Sequence, residues 1–150
     1  MLQIEAHADH WVVCEPDYSQ APLQWKPQVD ETIWTLNHQA ALHAKLPEVA
    51  VERTRGDQQF HLAPDALFAD IAYLRRLPPS SARDSGWYAT TSRDSTNAVL
   101  QQTQPALAGS LLEVEPEWTA VLNLPVGFVA QFDHDRLVAV FDARRNLVYP

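Results

Sequence analysis

The chain has a single cysteine among its 150 residues, and that one count removes several chemistries. No intramolecular disulfide can form, and no multi-cysteine metal site can be assembled. Set in Trp11-Val12-Val13-Cys14, the thiol reads as a small buried hydrophobe rather than a reactive nucleophile. Glycine is nearly as scarce, and four scattered glycines supply no glycine-rich phosphate loop. No apolar run approaches the roughly 18 residues that a bilayer-spanning helix needs. The stretch Met1-Leu2-Gln3-Ile4-Glu5-Ala6-His7 lacks the basic start and apolar core of a secretory leader, so the expected compartment is the cytoplasm. Positive charge is also short. Eleven Lys and Arg stand against 19 Asp and Glu, a formal net charge of −8 that opposes direct nucleic-acid binding, because phosphate contact needs a basic face. The same balance permits a basic protein partner.

What the chain does have is ordinary globular material. A hydrophobic content of 46% with 20% charged residues belongs to a folded protein, not a disordered one. A chain of this length can bury about 70% of its unfolded surface as one domain. Residues 10–14 carry strand formers and end at the turn signal Glu15-Pro16-Asp17. Pro16, Pro22 and Pro27 make residues 16–29 an ordered loop or short edge segments. Asp30 offers an N-cap for a helix over Glu31–Leu46, with Ile33, Leu36, Ala40, Ala41 and Ala44 near one stripe and Pro47 as its stop. Val49–Glu52 and Gln59–Leu62 read as a hairpin turning at Thr54-Arg55-Gly56-Asp57. Pro64 opens a helical turn through Ala69. Leu67, Ile71 and Leu74 suit a helix, whereas Ile71–Arg76 also suits a strand. Trp87–Thr91 is rich in strand formers. Residues 94–109 suit a short helix plus loop, and Glu115–Leu122 a helix with Pro and acid in its first turn. Gly127–Phe132 and Leu137–Phe141 flank Asp133-His134-Asp135-Arg136, the strongest hairpin signal in the chain, and residues 146–149 can end the sheet.

Several clusters invite a chemical reading. His7-Ala8-Asp9-His10 holds ligand-type residues, but on a strand His7 and Asp9 would share one face and His10 would take the other. A zinc site needs at least three converging ligands, and no other cluster completes one. His38 and His43 are five apart, which on a helix separates them by more than a quarter-turn. Asp133-His134-Asp135 suits a solvated turn. Ser85 stands beside Gly86 without the Gly-x-Ser-x-Gly context of a nucleophile elbow, and no His is placed to activate it. The structural reading is that Gly86 permits an unusual backbone angle, Asp84 or Ser85 bonds local amides, and Trp87 anchors the following strand in the core. Glu113, Glu115 and Glu117 form the densest acidic patch, with Trp118 next to it. On an extended stretch the three carboxylates would share a face. They form either a solvated acidic edge or a surface for basic groups on a partner, with Trp118 as its anchor.

The order of these segments carries a resemblance. Ile71–Arg76, the turn-rich Leu77–Ser81, then Asp84-Ser85-Gly86-Trp87, the segment Leu111–Trp118, and Leu124-Pro125-Val126-Gly127-Phe128 follow one another over about residues 70–141. This resembles a bacterial domain once catalogued as of unknown function and later grouped with polymorphic-toxin immunity proteins. That family pattern runs from a strand ending in Arg and Pro to Asp-Ser-Gly-Trp, a short helix, and Leu-x-x-Pro-Val-Gly leading into a strand. The chain departs from it at Thr90–Asp94, where the family has a second Gly and an acidic pair, and at Arg75-Arg76-Leu77-Pro78, where it has Glu after the Arg. The resemblance identifies a divergent member and favours the strand at 71–76.

The sequence therefore predicts a single α+β domain over residues 1–150, a mainly antiparallel sheet with a few packed helices. The resemblance implies a non-catalytic immunity protein that binds a cognate toxin in the producing cell, and charge, residue spacing and run lengths lead to the expectation of no cofactor, no metal, no nucleic acid and no membrane. Glu113, Glu115, Glu117, Trp118 and Asp84 are its candidate partner-binding residues. Two rivals stand beside it: a small metal-dependent hydrolase using the N-terminal histidines, and a regulatory or scaffold domain that binds another protein.

Overall fold

The computed structural model describes residues 2–94 and 100–150. Among them, ten strands form two sheets. The smaller is antiparallel, with β1 (Gln3–Ala6), β2 (Trp11–Asp17) and β3 (Gln24–Lys26) in sequence order. The helix α1 (Asp30–Lys45) follows it. The larger sheet draws on β4 (Gln59–Leu62), β5 (Ile71–Arg76), β6 (Asp84–Thr90), β7 (Gln104–Leu107), β8 (Val129–Asp133), β9 (Arg136–Phe141) and β10 (Leu147–Tyr149). Its order is β10-β9-β8-β5-β6-β4-β7, antiparallel throughout except for the parallel pair β4–β6. This is a single compact α+β domain, as the sequence predicts. No helix among the described residues is long and apolar enough to cross a membrane.

Strand β6 runs through the middle of the large sheet and is buried at every position except Tyr88, which is half-buried. Such a run has both faces covered. Trp87 sits there with no exposed surface, its indole N–H donating to the Leu122 carbonyl at 3.1 Å. The core continues through Phe60, Leu74, Leu124 and Phe132. Trp118, on a 3-10 helix over Pro116–Val121, packs its ring 6.5 Å from Phe60 and 6.1 Å from Phe132, the separation at which tilted aromatic pairs attract. Arg76 lies in the same interior. Burial pushes its guanidinium down in pKa, with Glu52 opposing, and it donates to the carbonyls of Glu52, Leu124 and Ser85. One cation thereby ties β5 to three separate segments, satisfying carbonyls that burial would otherwise leave bare.

Several segments fold differently from the sequence reading. The expected apolar stripe of α1 faces solvent: Ile33, Leu36, Ala40, Ala41 and Ala44 are exposed, while Gln39, Leu42 and Leu46 are buried. The reason is polar. Gln39 donates to the Thr119 carbonyl at 2.9 Å and accepts from Asn123 at 2.6 Å, which fixes the helix with that face inward. The helix begins at Asp30, so Asp30 is not its cap, and Val29 at the cap position makes no side-chain bond. Glu15 supplies it instead. Its buried carboxylate accepts from the amides of Thr32 (2.8 Å) and Glu31 (3.4 Å), where negative charge meets the helix N-terminus favourably.

The hairpin expected from 49–52 and 59–62 does not form. Residues around Glu52 and Thr54 turn their polar groups to the 122–124 segment and to Arg76, and β4 pairs with β6 and β7 instead. Strand β2 continues through Pro16 and Asp17 rather than ending there, β6 begins at Asp84 rather than Trp87, and β1 has no counterpart in the sequence reading. Of the helix and loop expected over 94–109, residues 95–99 lie outside the described residues, and 104–107 form the edge strand β7, where Pro105 is tolerated. The helix expected over Glu115–Leu122 is the 3-10 helix just described. Strand β5, the turn at Pro64–Phe68, the hairpin β8–β9 and the closing strand β10 stand where the sequence puts them.

Candidate functional site

The Asp-Ser-Gly-Trp turn is built as a ladder of side chain to amide bonds. Asp84 accepts from the amide of Gly86 at 2.8 Å, and from the amide and hydroxyl of Ser80 at 2.8 and 2.7 Å. His61 approaches it at 3.2 Å and stacks on Tyr88, ring centroids 4.4 Å apart. Burial pushes the Asp84 carboxyl up, but the amides of Ser80 and Gly86, the Ser80 hydroxyl and His61 outweigh it and hold the group below its usual range. Ser85 donates to the Gln59 carbonyl at 2.6 Å and accepts from the Trp87 amide, so its hydroxyl serves the backbone rather than a substrate. Gly86 has φ of +75°, and a Cβ there would lie 2.0 Å from the Leu77 carbonyl oxygen. Only glycine fits. Asp84 is therefore a structural residue, 2% exposed, with little surface to offer a partner.

The acidic patch is not an extended stretch. Glu113 lies on a one-turn helix, Leu111–Val114, Glu115 is the joint between that helix and the next, and Glu117 is in the first turn of the 3-10 helix. Glu113 is exposed and the other two are half-buried. Burial, then Asp135, pushes the Glu115 carboxyl up. Trp118 is 1% exposed, which places it in the core and not on the surface its neighbours form.

The histidines are dispersed. His7 to His10 form the turn between β1 and β2, not a strand, with the His7 amide bonded to the His10 carbonyl at 2.9 Å and the two rings stacked 4.9 Å apart. His10 pairs with the exposed Asp9 at 2.6 Å. His38 bonds the Trp34 carbonyl one turn back on α1. Among the described residues no three His, Cys, Asp or Glu side chains converge as metal ligands would.

The concave feature that sequence reasoning missed is a groove of about 780 Å³ between α1, the 15–25 segment and the 53–57 loop, with Trp25, Thr35, Leu36, His43, Arg53 and Leu112 on its walls. Thr35 Oγ1 and His43 Nε2 are buried without hydrogen-bond partners among the described residues. Most charged groups lining it are already engaged: Glu15 caps α1, Glu31 holds Lys26, and Arg55 pairs with Asp57 at 2.8 Å. At one end Tyr18 lies across Gly56 and Gly109, where an added Cβ would come within 2.0 and 2.3 Å of its side chain. The two glycines leave the space that lets the N-terminal segment sit on the large sheet's loops. Their separation in sequence hides that role, because nothing local links Tyr18 to either. The arrangement is a concave surface in which the described residues show no hydrogen-bonded nucleophile–base pair.

Comparison with known proteins adds one match. Residues 38–143 match the family described as Imm33-like domain, more than two thirds of the chain. No curated protein and no solved structure matches it.

Proposed function

The chain belongs to the Imm33-like domain family, and from that premise we propose that it is a non-catalytic immunity protein that neutralises a cognate bacterial toxin by binding it. The family match carries the reading. The acidic balance supports it, because complementary charge speeds capture of a basic toxin before damage is done. Inhibition is by occlusion: an interface of about 1,600 Å² in total covers the toxin's active site or holds it inactive. Glu113, with Glu115 and Glu117 beside it, contributes to the attraction from the C-terminal half.

Co-expression tests this. The chain expressed with the toxin encoded beside its gene should restore growth, and the two should co-purify as a stable complex. Growth arrest that persists despite soluble, folded chain would sink the reading.

A further inference from the structure

Residues 1–37 lie outside the family match, and the described ones, 2–37, are built unlike the rest. In the hairpin β1–β2, Ile4 pairs with Val13 and Ala6 with Trp11. Directly opposed residues, and residues two apart, share a face of a sheet. One face therefore carries Ile4, Ala6, Trp11 and Val13. It is the exposed face: Ile4 is 64% and Trp11 73% accessible, while Gln3, Glu5, Val12 and Cys14 take the more protected side. The usual polarity of a surface sheet is inverted. Among the described residues, seven of the 13 exposed large hydrophobics fall within residues 2–36, about a quarter of the chain, so the bias is local and not a property of the whole surface.

Charge points the same way. Residues 1–37 hold six acidic side chains and one basic one, Lys26, against 13 acidic and ten basic elsewhere, so a formal −5 of the total −8 lies here. Lys26 is bound to Glu31 and lies 3.7 Å from Glu15. No other Lys or Arg side chain lies among the described residues of this segment to face outward. The platform is also fixed, because Glu15 caps α1 and Tyr18 lies across Gly56 and Gly109.

We propose that the apolar face of the β1–β2 hairpin, centred on Trp11 with the exposed Asp9 in the turn beside it, is the surface that docks the toxin, and that the toxin meets it with an apolar pocket bordered by Lys or Arg. The inference rests on the immunity reading and assigns its binding face. Exposed Trp is the residue type that most often dominates interface energetics, and an apolar centre with a charged rim is the usual anatomy of a docking site. A second copy of the chain is the poorer occupant. Two strands about 4.8 Å apart and four paired residues long present on the order of 200 Å², well short of what a stable dimer buries, and two acidic copies repel. A toxin footprint extends beyond the hairpin, which forms its centre.

The test uses the intact chain and the inactivated toxin domain encoded beside its gene. Trp11→Thr and Ile4→Thr keep strand-forming residues, and circular dichroism with urea melts confirms folding. Wild type should bind; each variant should bind at least ten-fold more weakly, mainly through faster dissociation, with an unchanged melt. The charge variant Asp9→Lys should associate several-fold more slowly at low salt and approach wild type at high salt. Folded Trp11→Thr and Ile4→Thr variants that bind as wild type overturn the assignment while leaving the immunity reading standing. A wild-type chain that does not bind overturns both. Sedimentation showing a wild-type dimer that Trp11→Thr converts to monomer gives the face to a second copy and overturns the toxin assignment.

Discussion

Trp87 and Trp118 in the family region are 0% and 1% exposed, whereas Trp11 in the N-terminal sheet is 73% exposed. The same side chain thus does opposite work on the two sides of residue 38. In the large sheet, indoles fill space between β6, the 3-10 helix and Phe132, and every neighbour depends on their volume. In the small sheet the inner side is held by a carboxylate on helix amides and a tyrosine packed across two glycines, while Ile4, Ala6, Trp11 and Val13 are turned outward. One region is stabilised by what it buries. The other is fixed by a few directed contacts that leave its apolar face free.

The largest expected effect separates the two regions most sharply. Trp87→Ala or Trp118→Ala should cost about 3–5 kcal/mol, as loss of a large buried aromatic does. Trp11→Ala should stay within about 0.5 kcal/mol of wild type. Urea melts of the three variants decide it, and a Trp11→Ala loss as large as the others would erase the distinction.

Loosening the anchor of the N-terminal sheet on α1 comes next. Glu15→Ala withdraws the acceptor for the Glu31 and Thr32 amides and should cost about 0.5–2 kcal/mol, the range for loss of a helix cap. The same melts measure it, and helical dichroism should fall with it.

A third effect is confined to acid. Asp84 is held below the usual carboxylate range, so its contribution is fully present above about pH 4, its unfolded value, and is lost as pH falls through the lower folded value. Wild-type stability should decline from pH 4 downward, and Asp84→Asn should show a shallower decline over that window. Parallel slopes would mean the ladder at Ser80 and Gly86 does not depend on charge.

The smallest effect on stability belongs to the acidic segment. Glu113→Lys, Glu115→Lys and Glu117→Lys together should shift the melt little but slow association with the toxin at low salt. A slowing that, per substituted charge, exceeds that of Asp9→Lys would move the electrostatic centre from the N-terminal sheet to the C-terminal half.

What the sequence revealed follows from where its signals are local. Strand β5 and the hairpin through His134 show themselves in consecutive residues, and so does the Asp84–Trp87 turn, whose glycine, short polar side chains and aromatic each have a nearby role. The α1 stripe misled because its apolar residues face out, and its inward orientation is fixed by Gln39 contacts 80 and 84 residues away. The parallel pairing of β4 with β6 and the groove beside Tyr18 likewise depend on partners distant in sequence. Of the candidate site residues, Glu113 is on the surface as the acidic reading requires, while Asp84 and Trp118 are interior. Composition alone does not distinguish a tryptophan that fills a core from one that awaits a partner. The inverted alternation of Gln3–Ala6 does carry that information, but only once its pairing with Trp11–Cys14 is known.

The Glu15 cap has a consequence for how such a chain can be recombined. Helix α1 begins before residue 38 and ends after it, so the boundary of the family match falls inside a helix whose first-turn acceptor comes from β2. A chimera joined at that boundary, carrying another protein's N-terminal segment, inherits the second half of α1 with no guarantee of an acceptor for the first. Successful grafts must bring a carboxylate in register with position 15, and a small-residue seat for whatever replaces Tyr18. The unit of exchange is therefore the sheet together with the opening turns of α1.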